Sequence, residues 1–290
     1  MNWTDTMLAG WHFVLGTTLV VARPATFDRV ALFYHGSVIV IIISLAALQR
    51  RGRWWRIAHD WYPLFVFITA FEEVARLSLA FVPHWQDRYV IQIERALFST
   101  APTAWLNRHR GPIVTEFLEF GYFTFYWIMP VVGGLLYEGI WRASPSERSS
   151  PNQPFRIWMD ATVLGYIVCF ATYLLFPTEG PAHTLMAPDS SLTAAGPFHR
   201  LVLLIQRHGG VHGNAFPSGH IMASVVAYLA ALKWQTNFAK WITVPLLLMC
   251  VGAVYDGYHY VSDIVAGAVV GATAFWVVAK IRRANPSRVA

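Results

Sequence analysis

Two histidines and one carboxylate are the residues of this chain best suited to chemistry. His220 and His259 lie about 40 residues apart, a spacing that fits one helix across a membrane, a short basic turn and one helix back. Both imidazoles are therefore expected on the same face. Asp263 follows His259 by four positions, so on a helix its carboxylate lies about 5–6 Å away and orients the imidazole. A histidine prepared in this way is a candidate nucleophile towards phosphorus.

The motif Pro217-Ser218-Gly219-His220 supplies a candidate phosphate cradle. It stands where a loop becomes a helix, and the unpaired N–H groups of a helix start meet the positive end of the helix dipole. We expect this turn to bind substrate, with the Ser218 hydroxyl and the Gly219 amide on phosphoryl oxygens beside Pro217. His220 would then protonate the departing alkoxide, a role typically worth about 10²–10⁴-fold in rate.

A third polar cluster, residues 176–183, opens the long connection 177–215 that leads to this motif. Its Gly and His residues are unusual for an ordinary membrane anchor. We include Gly180 and His183 among the candidate substrate-binding residues, together with Arg207 from the same connection.

The elements that must position these residues are membrane helices. Of the 290 residues, 56% are hydrophobic and only 13% are charged, whereas soluble domains carry about 25% charged residues. We predict an all-α polytopic bundle. Residues 7–22 are expected to form an interfacial helix, and a re-entrant piece or an eighth span are the alternatives. Seven spans, each near the roughly 20 residues that crossing a bilayer requires, are predicted at 31–49, 61–82, 113–137, 155–176, 216–232, 241–258 and 260–279.

The net charge of +6 is gathered in a few loops. Basic groups at 50–56, 142–156, 233–240 and 280–288 fall on one side of a seven-span arrangement, and such an excess marks the cytoplasmic side. This predicts a plasma or inner membrane protein with a cytoplasmic C-terminus, an outer N-terminus and a site that opens outside. It argues against a nucleic-acid partner. The Ser/Pro-rich segment 143–154 is predicted to be a flexible cytoplasmic linker.

These motifs resemble signatures of the type 2 phosphatidic acid phosphatase superfamily. Pro217-Ser218-Gly219-His220 is similar to the second signature, His259 with Asp263 to the third, and residues 176–181 to a degenerate first one. The resemblance covers the last 110 or so residues. It implies that His259 forms a phosphohistidine, Asp263 supports it and His220 is the general acid, without metal or cofactor. It also implies a six-helix core within residues 61–290, preceded by an extra span within residues 1–60.

Upstream features resemble the branch that contains the inositol phosphorylceramide synthases. They are Glu94 and Phe98 ahead of Ala101-Pro102, and Tyr122, Tyr126 and Pro130 in the next span. This similarity implies a lipid phosphatase or a lipid headgroup phosphotransferase, acting on a phosphorylated lipid.

The chain departs from the phosphatase pattern where two cations usually stand. Ala182 and His183 follow Pro181 in the first signature, and Gly252 and Ala253 replace the usual Ser-Arg pair of the third. Sphingolipid synthase-type phosphotransferases resemble this chain in lacking the third-signature Arg, which keeps a transferase open. The substitutes considered for the missing cations are His183, Arg200, Arg207, His208 and His212, all in the connection 177–215.

Other interpretations stay open. A metal site formed by His220, His259, Asp256 and Asp263 would suit several metals, although it leaves the Ser and Gly of the cradle unexplained. Glu72, Glu73 and Arg76 lie within the second predicted span and are expected to face the protein interior. A Glu72–Arg76 helical pair is favoured over a headgroup contact or a proton path through Glu72 or Glu73. A non-enzymatic transporter or lipid-binding protein, and a phosphatase for soluble substrates, are the competing functions.

Overall fold

The computed structural model describes residues 1–22, 29–142, 153–185, 196–209 and 211–284. Within these ranges the regular elements are helices, and one isolated bridge joins Thr178 to Asn214. The predicted all-α class is confirmed. The predicted linker 143–154 lies almost wholly outside the described residues.

In chain order the helices are α1 (Trp3–Ala22), α2 (Arg29–Leu48), α3 (Arg53–Arg76), α4 (Ser78–Phe81), α5 (Asp87–Phe98), α6 (Pro102–Asn107), α7 (Pro112–Phe123), α8 (Phe125–Arg142), α9 (Pro154–Leu175), α10 (Pro181–Thr184), α11 (Pro197–Gly209), α12 (Gly219–Trp234), α13 (Thr236–Tyr255) and α14 (Val261–Ala284), with a 3₁₀ turn at Gln49–Arg51.

Six helical segments of the described chain are long and apolar enough to cross a membrane. Five of them coincide with predicted spans, which confirms a multi-pass membrane protein. The sixth is α1, which the sequence did not predict as a span. The six segments are Trp3–Ala22, Arg29–Arg51, Pro112–Ile140, Pro154–Leu175, Thr236–Tyr255 and Val261–Ala284.

The two remaining predicted spans, 61–82 and 216–232, are helices of a different character. The first corresponds to α3, which begins earlier, at Arg53, and carries several charged side chains. On α3, Arg76 forms an ion pair with Glu73 rather than with the predicted Glu72, because Glu73 is the acid that faces the interior while Glu72 is exposed. The second corresponds to α12, whose 16 residues fall short of the roughly 20 that a full crossing requires.

The helix α1 does not have the character of an interfacial helix. An interfacial helix needs a polar face opposite an apolar one, but α1 is apolar around most of its circumference and its ionisable side chains, Asp5 and His12, are buried. Leu8 packs with Val38 and Ile42 of α2, and Nδ1 of His12 lies 2.8 Å from Nδ1 of His35 on α2. The helix α1 therefore stands alongside α2 in the bundle, and it is long and apolar enough to cross a membrane, which favours the alternative of an eighth span.

The first turn of α1 lies at the end of the bundle where α14 finishes. Thr4 donates a hydrogen bond to Asp160 of α9, and Nε of Arg282 on α14 donates to the other oxygen of that carboxylate at 2.5 Å. Both ends of the described chain are therefore at the same end of the bundle. The expectation of an N-terminus opposite to the C-terminus is corrected accordingly, because α1 adds one more passage through the bundle.

The buried helix α12 is the centre of the fold, and it packs against α14 along two glycines. A Cβ on Gly267 would stand 2.5 Å from the Ser218 carbonyl oxygen, and one on Gly271 would stand 2.5 Å from that of Met222. Only a hydrogen in place of Cβ allows such an approach. This small-residue contact at Gly267 and Gly271 sets the start of α12 directly beside the start of α14. The division of the chain into an N-terminal part, residues 1–60, and a core, residues 61–290, stays a prediction.

Candidate active site

The two histidines predicted to do chemistry meet in space. His220 is the second residue of α12, and His259 lies in the turn between α13 and α14. Their ring centroids are 6.3 Å apart. His259 is buried and His220 is half-buried, so His220 is the more accessible member of the pair.

Asp263 supports His259 from within the first turn of α14. Nδ1 of His259 lies 3.3 Å from Oδ2 of Asp263, and the backbone N–H of Tyr260 donates to the same oxygen at 2.9 Å. A carboxylate on Nδ1 fixes the proton there and leaves the lone pair on Nε2. Burial lowers the pKa of His259 to about 4, against the effect of a backbone hydrogen bond with Ala215. The imidazole is therefore neutral at pH 7, the form that a nucleophile requires.

The Pro217-Ser218-Gly219 turn is fixed by contacts with three helices. Tyr173 of α9 donates a hydrogen bond to the Pro217 carbonyl at 2.8 Å, and the Ser218 N–H donates to the Asp263 carbonyl at 3.0 Å. The Ser218 hydroxyl accepts from the Ile221 N–H and so caps α12. A Cβ on Gly219 would stand 2.9 Å from the Tyr173 hydroxyl, so this position needs glycine. The turn thus presents its backbone at a helix start beside both histidines, an arrangement suited to an anion.

Gly180 of the first cluster reaches the same place. Its φ of +95° favours glycine, and an added Cβ would stand 3.3 Å from Ala215 Cβ and 3.4 Å from the Tyr258 carbonyl oxygen. Gly180 therefore fills the gap between the residues that precede the second and third signatures.

His183 and Arg207 lie farther out. His183 is exposed, and its ring centroid is 4.5 Å from that of His212. Nε2 of His212 in turn lies 2.6 Å from Oε1 of Glu179. Arg200 and Arg207 are exposed on α11. The described contacts of the His220 and His259 rings are with each other and with neighbouring aromatic rings, not with these two arginines. The side chain of His208 falls outside the described part of the chain.

Two acids of α5 that the site depends on are not evident from the motifs. Asp87 accepts hydrogen bonds from the N–H groups of Glu179 and Gly180, both at 2.9 Å, and from the Tyr260 hydroxyl at 2.9 Å. Glu94 accepts from the N–H of Ser262 at 2.9 Å and from its hydroxyl at 3.0 Å. Sequence reasoning named Glu94 only through the family resemblance and missed Asp87. Their seven-residue spacing on one face of an amphipathic helix is the pattern that points to them.

Aromatic rings form the other walls around His220. The ring centroids of Phe125, Tyr122 and Phe71 lie 4.5, 5.5 and 6.4 Å from that of His220. Tyr122 also lies 4.8 Å from Tyr258, which precedes His259. Such walls exclude water from one side of the histidine pair and suit an apolar substrate.

A buried cation stands near the third signature, although the usual Arg is absent. Nη2 of Arg110 lies 2.5 Å from Oδ1 of Asp256, three positions before His259. Asp256 was one ligand of the alternative metal site, and here it is engaged by a guanidinium instead. Among the described residues no three His, Cys, Asp or Glu side chains are arranged to hold a metal ion.

Comparison with known proteins places this region in a family. Residues 179–287 match the family model described as the PAP2 superfamily. This part of the chain is similar to PAP2 superfamily domains. It contains His220, His259 and Asp263, and the resemblance to that superfamily is confirmed. The branch of the inositol phosphorylceramide synthases stays a prediction.

A curated PAP2-type relative covers more of the chain at low identity. A PA-phosphatase related-family protein of Dictyostelium discoideum is 25% identical over 168 residues, which are 54% of this chain and 30% of the relative. The chain thus spans under a third of that relative's length. No solved structure matches the chain. The chain thus combines a match to the PAP2 superfamily with six helical segments, among the described residues, that are long and apolar enough to cross a membrane.

Proposed function

We propose that this protein is a lipid phosphatase or phosphotransferase of the membrane, and that it works through a phosphohistidine at His259. The observation that carries the proposal is the 6.3 Å approach of the His220 and His259 rings, with Asp263 behind the second ring. The substrate is a phosphorylated lipid, because the ring pair is walled by aromatic side chains in a bundle of membrane helices.

In the first step, Nε2 of His259 forms a bond to phosphorus while the bond from phosphorus to the lipid oxygen breaks. His220, protonated in the complex with the phosphate group of the substrate, gives its proton to the departing oxygen, and Asp263 stabilises the positive charge that develops on His259. The N–H groups at the start of α12 hold the phosphoryl oxygens. In the second step, neutral His220 takes a proton from water or a lipid alcohol, whose oxygen attacks phosphorus and releases His259. Water gives a phosphatase and an alcohol gives a phosphotransferase.

The pocket is proposed to open on the periplasmic or extracellular side. Arg282 and the Arg50–Arg53 region belong to the basic groups at the opposite end of the bundle, and the cytoplasmic side carries such groups in excess. The neutral state of His259 and the buried Asp263 support a nucleophilic role that requires no metal.

The test compares His259→Ala and His220→Ala with the parent protein, purified in detergent. Phosphate release and headgroup transfer are measured on a panel of long-chain and short-chain phosphorylated lipids and soluble phosphate esters. Loss of turnover of about 10²-fold or more in each variant is expected. His84→Ala, which removes an exposed histidine, is the matched control. Turnover that both site variants retain would reject the mechanism.

Trapping the intermediate separates this proposal from a transporter on the same scaffold. Brief incubation with substrate labelled at phosphorus should label the parent protein with an acid-labile, alkali-stable bond, as phosphohistidine chemistry dictates. His259→Ala should remain unlabelled. Proton-coupled flux that depends on Glu72 or Glu73, with no phosphate chemistry, would favour the transporter.

A further inference from the structure

A second cavity opens beside the histidine site and has a different chemistry. It lies between the start of α2, the end of α3 and the segment at Val211 and His212, and it encloses about 620 Å³. This is within the usual range for small-molecule sites, about 300–1,000 Å³. Its polar lining consists of Tyr34, Thr69, Glu72, Glu73, Arg76 and His212.

Glu73 is the residue that points to a ligand. Its side chain is 2% exposed, and its Oε2 pairs with Arg76. The second oxygen, Oε1, is buried and has no hydrogen-bond partner among the described residues. A buried carboxylate oxygen without a donor is costly, so a ligand that brings a hydrogen-bond donor into the cavity would stabilise it.

The charges of the lining define that ligand further. Glu72 and Glu73 supply two carboxylates and Arg76 supplies one guanidinium, so the cavity offers both an acidic pole and a basic one. The acidic pole suits an ammonium group, and a guanidinium suits a phosphate. A quaternary ammonium has no N–H to give to Oε1 of Glu73, whereas a primary ammonium has three. The hydroxyl oxygens of Tyr34 and Thr69, 3.0 Å apart, are further acceptors for such a group.

We infer that this cavity binds the headgroup of a zwitterionic phospholipid that carries a primary amine. The ammonium group donates to Oε1 of Glu73, and the phosphodiester faces Arg76. The acyl chains then run along the apolar outer surface of α2 and α3, where Phe33 and Phe65 are exposed.

The cavity and the histidine site share a wall. Phe71, directly before Glu72, has its ring 6.4 Å from that of His220, and its carbonyl accepts a hydrogen bond from Nδ2 of Asn214 at 2.9 Å. His212 lines the cavity and also contacts His183 of the first cluster. A lipid bound here lies next to the site of the proposed reaction, but its binding does not depend on that reaction.

Binding of lipids to the purified full chain in nanodiscs tests the inference. The probe is labelled phosphatidylethanolamine, with phosphatidylcholine as the quaternary analogue and phosphatidylglycerol as the anionic one. Preference for phosphatidylethanolamine is expected. Glu73→Gln should weaken it by about tenfold or more, the effect of losing one buried charge-assisted hydrogen bond, and Glu138→Gln, at an exposed acid of α8, should leave it unchanged.

Soluble glycerophosphoethanolamine at millimolar concentration separates headgroup recognition from chain binding. Competition with the labelled lipid supports the assignment, and its absence would overturn it. A parent protein that binds the amine and choline lipids equally, or Glu73→Gln that keeps the preference, would also overturn it. Since lipid preference is compared within one protein preparation, a variant that folds less well cannot produce these results. Phosphatase or transferase turnover is assayed separately, so loss of the proposed function leaves this test intact.

Discussion

The Tyr260 hydroxyl donates a hydrogen bond of 2.9 Å to Oδ1 of Asp87, a residue 173 positions earlier in the chain. The same carboxylate accepts from the N–H groups of Glu179 and Gly180. One acid of α5 thus joins the residue after His259 to the first polar cluster. The position of His259 therefore depends on α5 as well as on the longer helices of the bundle.

Asp87→Asn and Tyr260→Phe should therefore be coupled. Each change weakens the shared hydrogen bond, and we expect each to lower the free energy of unfolding by about 1–3 kcal/mol. In the double variant the losses should fall short of their sum by about 0.5 kcal/mol or more. Denaturation of all four proteins in detergent measures this. Strictly additive losses would show that the contact contributes nothing.

Glu94 should tolerate one substitution and not another. Glutamine keeps an oxygen that can accept from the Ser262 N–H, whereas alanine leaves that N–H and the Ser262 hydroxyl without their partner. We expect Glu94→Gln to retain most of the turnover and Glu94→Ala to lose about tenfold or more. Equal loss in both variants would assign the effect to the charge of Glu94 instead.

Asp263→Asn should reduce kcat with little change in KM. An amide in place of the carboxylate no longer holds the proton on Nδ1 of His259 or stabilises the imidazolium, and such changes cost on the order of 10³–10⁴ in kcat. Steady-state kinetics on the substrate found in the lipid panel gives the two constants. A rise in KM alone would place Asp263 in substrate binding and not in support of His259.

The buried state of His259 predicts a pH dependence of stability. Its pKa falls from 6.5 to about 4 on folding because burial disfavours the charged ring, so the unfolded chain binds a proton that the folded one does not. Stability is then fully present above about pH 6.5 and declines as the pH falls towards 4, by about 3 kcal/mol in all. Thermal melting across this window should show the decline, and His259→Gln should show less of it.

The glycine contact between α12 and α14 gives a matched pair of variants. Gly267→Ala would place a methyl group against the Ser218 carbonyl, and we expect a loss of about 1–3 kcal/mol. Gly134→Ala meets no atom within 4 Å and should be neutral or stabilising by up to about 1 kcal/mol. Melting temperatures compare the two, and similar values would show that the helices can separate without cost.

The parts of the site that sequence could predict are those whose partners are close along the chain. His259 and Asp263 are four residues apart, and Pro217 to His220 are contiguous, so local spacing places them. Asp87 meets partners 92, 93 and 173 positions away. No local pattern encodes such contacts, because they arise only when the bundle packs.

The packing of α1 could not be predicted for a related reason. In the sequence, the short apolar run of residues 7–22, with His12 and two glycines, favours an interfacial helix. In the structure, Asp5 accepts hydrogen bonds from Tyr62 at 2.9 Å and contacts Nε2 of His59 at 3.1 Å, and His12 meets His35. Hydropathy treats each polar residue as if it were solvated alone, whereas these residues contact one another inside the bundle.

The backbone hydrogen bond from Ser218 to Asp263 limits how the cleft can respond to a bulky guest. Because it ties the two catalytic turns together, neither turn can swing aside without breaking a buried bond and parting α12 from α14. Any widening of the cleft must therefore come from elements that this hydrogen bond does not join. The start of α12 and the start of α14 are therefore expected to move together as one rigid unit.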